Sequence, residues 1–225
     1  MTVPASSPFM QQWQLPALGH ENLQLVQVPI PEPGRGQVLV RVHAASLNYR
    51  DLMILRDGMG MVPALPLVPG SDMAGEVVAL GPGVAEFTVG DAVISTFFAG
   101  WQDGVQPRTS LPLGSPGPGM LSEYVVLGED NLVAAPLQLD FAQASTLTCA
   151  GATAWFALAE SAPTRPGDTV VIMGHGRRGA VRHADCPCAG CARGGGFGQR
   201  RQAGAGCAAG CRPRHPPPPL SLIHI

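Results

Sequence analysis

Two clusters of residues carry side chains and spacings that could do chemistry. Gly174-His-Gly176-Arg-Arg-Gly179 matches the G-x-G-x-x-G pattern that lets a backbone approach a dinucleotide pyrophosphate. That chemistry needs a strand before the glycines and a helix opening at them, so that backbone N–H groups face the phosphates. The second cluster is Cys186-x-Cys188-x-x-Cys191 with Cys207-x-x-x-Cys211 and nearby His183. Thiolates and an imidazole at such spacing read as a zinc knuckle. The Arg- and Gly-rich stretch Arg193 to Arg201 reads as an RNA-contacting segment.

The surrounding chain decides which of these readings survive. It has 225 residues, 45% hydrophobic and 13% charged, with a formal net charge of −2. That length can bury the core of one large domain or two modest ones. No apolar run reaches 18 residues, which excludes a transmembrane helix and a membrane role. Residues 1–16 lack a basic start and an apolar core, so no secretory signal is expected and the expected location is cytoplasmic. All 14 basic residues are Arg, a mark of GC-rich coding sequence more than of function.

The averages conceal a division near residue 174. Residues 1–174 hold 15 acids and 6 Arg, whereas residues 175–225 hold one acid, Asp185, and 8 Arg. The second part has 10 Gly and 6 Pro among 51 residues but only six Val, Leu, Ile or Phe. So little apolar surface cannot offset chain entropy, and disorder is expected there. Out-of-frame GC-rich DNA encodes the same composition. This outweighs the zinc and RNA readings, and near-neutral net charge also argues against a nucleic-acid partner.

The first part reads as strands, then helices, then a strand. Leu23 to Val28 and Val38 to Ala44 alternate apolar and polar residues, as half-buried strands do. Ala74 to Leu80, Asp91 to Thr96 and Leu121 to Leu127 are further strands, and Leu111 to Met120 is a loop. Short strands between Gly/Pro turns predict a compact β-barrel domain. Arg50 to Leu55, Asp140 to Cys149 and Ala152 to Ser161 read as helices, with Asp140 a fitting N-cap. Asp168 to Met173 is a nearly continuous apolar run, the pattern of a strand buried in a parallel sheet.

Residues Ala44-Ala-Ser-Leu-Asn-Tyr-Arg-Asp51, Val68-Pro-Gly-Ser-Asp-Met-Ala-Gly-Glu76 and Val89-Gly-Asp91 then appear in order. They are followed by Thr96-Phe-Phe98 with Trp101, Glu123-Tyr-Val125, Leu147-Thr-Cys-Ala-Gly-Ala-Thr-Ala-Trp155 and Pro166-Gly-Asp-Thr-Val-Val-Ile-Met-Gly174. This series resembles the medium-chain dehydrogenase/reductase superfamily, most of all its alcohol dehydrogenase-like and quinone oxidoreductase-like branch. The resemblance implies a mixed β and α/β chain: a GroES-like β-barrel catalytic domain over 1–135, then the start of an incomplete Rossmann domain. The linking helices and first strand span 136–179, and 180–225 is the tail. It implies hydride transfer between NAD(P), with NADP favoured, and a small carbonyl, alcohol or enone. It also implies a homo-oligomeric parent, since relatives often dimerise through the Rossmann sheet.

The same resemblance allows metal ligands to be checked. Zinc-dependent members carry Cys where this chain has Asn48, Gly-His-Glu where it has Gly70-Ser71-Asp72, and a further ligand where it has Cys149. Catalytic zinc needs three Cys, His or carboxylate ligands, so zinc is not expected. Cys149 reads instead as a small buried hydrophobe. A hydrogen-bond donor must then meet the charge that builds on the substrate oxygen. Tyr49 and Asn48, grouped with Asp51, are the catalytic candidates. Phe98 and Trp101 are candidates for an apolar pocket, with core packing as the competing reading. Thr153 resembles the Thr beside the nicotinamide, and Gly174 and Gly176 the pyrophosphate turn. Arg50 reads as a solvated helix residue rather than a phosphate ligand.

After Gly179 the expected helix fails. Ala180 to Gly190 has no apolar stripe, Pro187 falls in its interior, no second parallel strand follows and no acid comes about 20 residues on. One inserted nucleotide near codon 174 accounts for this. Restoring the frame from His175 to Cys191 permits a Gly-rich turn and an amphipathic helix. Leu220 to Ile225 matches one frame of a sequencing adapter, so the tail reads as an artefact. The expectation is an oxidoreductase whose 225-residue chain is inactive and, through its unpaired Asp168–Met173 strand, prone to aggregate. The alternative is a non-catalytic GroES-like module with a metal- or RNA-binding tail.

Overall fold

The computed structural model describes residues 7–161, 163–165, 169–171 and 192–194. The chain forms two compact units, Met1–Cys149 and Ala150–Ile225.

The first unit begins with β1 (Phe9–Gln14) and β2 (Gln24–Pro29), an antiparallel ribbon in which Trp13 faces Leu25. Then come β3 (Gln37–Ser46), α1 (Tyr49–Asp57), β4 (Asp72–Leu80) and β5 (Ala92–Ser95). The short strands β6 (Phe98–Ala99) and β7 (Leu111–Pro112) pair with each other. The unit closes with β8 (Tyr124–Gly128), β9 (Leu132–Ala134) and α2 (Phe141–Ala144). Strands β8-β3-β4-β5-β9 make one antiparallel sheet.

Both faces of this sheet are covered. Successive side chains on a strand point to opposite faces, so Met73 and Val93 enter one core while their neighbours Ala74 and Ile94 enter another. The first core adds Val38, Val40, Val125 and Leu127, capped by Leu113 and Met120 from the connection before β8. The second is sealed by Ala144 of α2, with Phe141 and Leu147 packed beside it. α2 starts with a reciprocal capping box. Asp140 Oδ1 accepts from Gln143 N at 2.7 Å, and Gln143 Oε1 accepts from Asp140 N at 3.2 Å.

Strands β2 to β5 lie where the sequence places strands, at Leu23–Val28, Val38–Ala44, Ala74–Leu80 and Asp91–Thr96. Leu121 to Leu127 forms a regular strand only from Tyr124, because its first residues bond to β1 instead: Trp13 N donates to Leu121 O at 2.9 Å and Glu123 N to Gln11 O at 3.0 Å. The Leu111–Met120 loop also contributes the two-residue β7. The helix expected over Asp140–Cys149 stops at Ala144, and a wider π-type turn covers Leu147–Gly151. Within that turn Cys149 N donates to the Asp72 carboxylate at 2.9 Å, a long-range acceptor beside which the regular pattern gives way.

In the second unit α3 is a single turn, Ala152–Trp155, followed by another wide turn over Phe156–Ser161. Strand β10 (Thr169–Val171) pairs in parallel with β11 (Ala192–Gly194), and Val170 is buried. This corrects the expectation that no parallel partner follows. A ladder joins backbone N–H and C=O groups, so Ala-Arg-Gly can extend it without an apolar pattern. One edge of β10 is therefore covered, against the expected unpaired strand. Gly174, Gly176 and the Cys cluster lie outside the described residues. Among the described residues no helix is long and apolar enough to cross a membrane.

Candidate functional site

The start of α1 positions the first candidates. Asn48 has an extended backbone and leads into the helix. Its N–H donates to Asp51 Oδ2 at 2.7 Å, while Asp51 N donates to Asn48 O at 3.0 Å. This local closure satisfies amides that a helix start otherwise leaves open. Asp51 is thus 4% exposed and turned inward, as is Ile54, which packs on Leu15 and Leu67. Tyr49 and Leu52, three apart and so on one face, point outward, with Tyr49 75% exposed. At the far end, Arg56 Nη2 lies 2.8 Å from Asp57 Oδ2 on the surface, and that hydrogen bond holds the Asp57 carboxyl below its ordinary value.

Behind α1 lies a buried polar chain. Asn48 Nδ2 donates to Ser71 Oγ at 3.3 Å, Ser71 Oγ donates to Asp72 Oδ1 at 2.5 Å, and Asp72 Oδ2 accepts from Cys149 N at 2.9 Å. Ser71 and Asp72 are almost wholly buried. Ser95 supports them where the β4–β5 ladder ends. Its hydroxyl accepts from Met73 N at 3.1 Å and donates to Ser71 O at 3.0 Å. Its carbonyl accepts from Thr148 Oγ1 at 2.8 Å. The fold thus gathers Asn48, Ser71, Asp72 and Cys149, which lie far apart in sequence. Cys149, read as a small buried hydrophobe, is half-buried. Among the described residues no group of three His, Cys, Asp or Glu could hold a metal.

Arg50 differs from its expected role as a solvated residue. Nη1 donates to Leu113 O at 2.8 Å, Nη2 donates to Ser115 O at 3.1 Å, and the guanidinium lies 5.1 Å from the Phe97 ring centroid. Phe97 meets Phe98 edge-on at 4.9 Å, and Phe98 meets Trp101 edge-on at 5.4 Å. Trp101 Nε1 closes its own loop onto Asp103 O at 3.0 Å. The two pocket candidates thus belong to an aromatic wall anchored on α1 through Arg50. Only a planar fork serves two carbonyls and a ring face together. Arg50→Met is expected to cost about 2 kcal/mol, and Arg50→Lys to recover little of it, read from urea unfolding midpoints.

Sequence reasoning did not single out Ser95 or Thr148, since Ser and Thr carry no signal until their partners are known. His43 was also missed. It stacks on Phe141 at 4.4 Å and lies 3.6 Å from Glu76. A surface groove of about 320 Å³ beside Trp13, Leu25 and Glu123 includes none of the candidates. In the second unit, Thr153 is half-buried on α3.

Comparison with known proteins places these residues in a family. Residues 34–137 match the alcohol dehydrogenase GroES-like domain. A zinc-type alcohol dehydrogenase-like protein of Schizosaccharomyces pombe is 38% identical over 163 residues, 70% of this chain and 47% of the relative. A quinone oxidoreductase of Sus scrofa is 35% identical over 164 residues, 72% of this chain and 43% of the relative. A crystal structure from Sinorhizobium meliloti, named for an alcohol dehydrogenase, superposes with a TM-score of 0.80 at 46% identity, covering 84% of this chain and 57% of that one. The chain spans about half the length of the curated relatives it matches. The antiparallel sheet closed by α2, with the gathered Asn48, Ser71, Asp72 and Cys149, is a GroES-like domain, and the chain belongs to the medium-chain dehydrogenase/reductase superfamily.

Proposed function

We propose that the gene's product is an oxidoreductase that moves a hydride between a nicotinamide dinucleotide and a small carbonyl, alcohol or enone, without catalytic zinc. The observation that carries this reading is the start of α1. It fixes an exposed phenol, Tyr49, and a carboxamide, Asn48, on a rigid helix tied to an aromatic wall. A reacting oxygen gains negative charge as hydride arrives, and preorganised donors lower that barrier. Tyr49 O–H donates to the oxygen and can release its proton; Asn48 Nδ2 is the second donor. Asp51 acts through the helix start, holding both in place. Phe98 and Trp101 would supply the apolar lining of the substrate pocket.

The donor set does not fit zinc. Asn48 and Ser71 are neutral oxygen or amide groups, and both Asp72 oxygens already accept hydrogen bonds. Cys149 alone supplies a thiol there, whereas catalytic zinc takes three protein ligands. A dinucleotide fits better. In sequence, Gly174 and Gly176 follow β10, where the family resemblance implies the pyrophosphate turn. Those glycines and Thr153 would hold the cofactor, which supplies the hydride.

The test is a chimera. Residues 1–173 are joined to the remaining half of the Sinorhizobium meliloti relative and assayed by nicotinamide absorbance with a carbonyl, an alcohol and an enone. Turnover with at least one is expected, and Tyr49→Phe should lower kcat/KM about 100-fold. The 225-residue chain alone, spanning about half the relatives' length, is expected to show none. A folded chimera inert toward all three classes, or indifferent to Tyr49→Phe, overturns the proposal.

A further inference from the structure

We infer that Asp72 is a positioning residue whose buried carboxylate couples the start of α1 to the Thr148–Cys149 turn. Three consecutive hydrogen bonds cross three chain segments: Asn48 to Ser71, Ser71 to Asp72, and Cys149 N to Asp72. The carboxylate is 1% exposed, and Ser71 is fully buried. Such a group is kept in an apolar interior only where its acceptors are used. Here they are used to join elements that share no strand pairing. At one end is Asn48, whose backbone closes the turn that begins α1 and so sets the origin of Tyr49. At the other is the Cys149 amide, within the wide turn over Leu147–Gly151, which donates to the carboxylate.

A second bond runs in parallel. Thr148 Oγ1 donates to Ser95 O, and Ser95 Oγ donates to Ser71 O. The turn is therefore held at two successive residues, one by a side-chain oxygen of β4 and one by a backbone oxygen of β5. With Asp72 in place, the α1 start and the 148–149 turn keep one fixed separation. Without it, the tie through Thr148 and Ser95 still holds the turn, but the side-chain link to Asn48 is lost. The coupling is independent of which substrate the site takes.

Amide exchange in the full 225-residue chain, followed by NMR, reads both ends of the tie. Asp72→Leu keeps the branching at Cγ, with a larger side chain, and removes both acceptors. Cys149 N–H should exchange about tenfold faster, the scale of one lost buried hydrogen bond, and the Asp51 amide that closes the α1 turn should loosen with it. Asp72→Asn keeps one carbonyl oxygen for Cys149 N–H and should restore most of the protection there. Simple core packing predicts the reverse order, because a well-packed apolar replacement of a buried charge is often neutral or stabilising. Should Asp72→Leu fail to fold, Ser71→Ala cuts only the Asn48 arm. The Asp51 amide should then exchange faster while Cys149 stays protected. The inference is overturned if Leu protects as well as Asn, or if Ser71→Ala leaves the Asp51 amide unchanged.

Discussion

Replacing Asn48 by Cys and Ser71 by His is expected to create a site that holds about one zinc ion. The side chains at 48 and 71 already meet, with Nδ2 and Oγ 3.3 Å apart. Asp72 links that pair to the backbone of Cys149. The double variant with Cys149 then offers two thiolates and an imidazole, three ligands of the kind zinc prefers, with Asp72 beside them. With a dissociation constant of about a micromolar, free zinc at about 100 times that concentration stabilises the fold by about 2.7 kcal/mol, enough to raise the melting temperature visibly. Metal content of the purified variant by mass spectrometry is the measurement. Adding Cys149→Ala to the double variant should remove the metal, and the parent chain controls for binding elsewhere. If the variant is folded and zinc neither binds nor depends on Cys149, the four positions do not converge as described.

Gly119→Ala is expected to destabilise the first unit by about 3 kcal/mol, lowering the melting temperature on the order of 10 °C. The connection before β8 lies flat on residues 68–70. Met120 N donates to Gly70 O at 2.9 Å, and Leu121 N donates to Pro69 O at 3.1 Å. A Cβ on Gly119 would overlap the Val68 and Pro69 carbonyls, which are backbone atoms and cannot turn aside as a side-chain tip can. Gly114, in the same connection, adds a left-handed φ of +83° and a less severe but still close approach to the Gly70 backbone. Displacing residues 68–70 moves Ser71, so the loss of stability should come with faster exchange at Cys149. A thermal melt within about 1 °C of the parent's would show that the connection can lift away freely.

Much of the fold was legible because each strand's own residues specify it. Leu23 to Val28 and Val38 to Ala44 alternate apolar and polar residues as half-buried strands do, and Ala74 to Leu80 is a short apolar run between turns. Asp140 and Gln143, three apart, announce the start of α2 without any tertiary partner. β1 was not legible, since Phe9-Met-Gln-Gln-Trp-Gln14 has too few apolar residues and takes its order from β2 and from residues 121–123. The shortening of the helix after Ala144 was not legible either, because the competing acceptor is Asp72, 77 residues earlier in the chain.

The candidate site divides in the same way. By themselves the residues show that Asn48, Ser71, Asp72 and Cys149 make a poor ligand set and that Tyr49 is a phenol at a helix start. Those are matters of side-chain chemistry and local spacing. Only the tertiary structure decided that Asp51 turns inward while Tyr49 faces out, since the packing of Ile54 on Leu15 and Leu67 sets the rotation of α1. It alone decided that Arg50 grips the carbonyls of Leu113 and Ser115 rather than water. It also made Asp72 a junction between segments. A donor or acceptor has no assigned partner until folding removes the water that would otherwise serve it, and the choice of partner is then fixed by what long-range packing brings within about 3 Å.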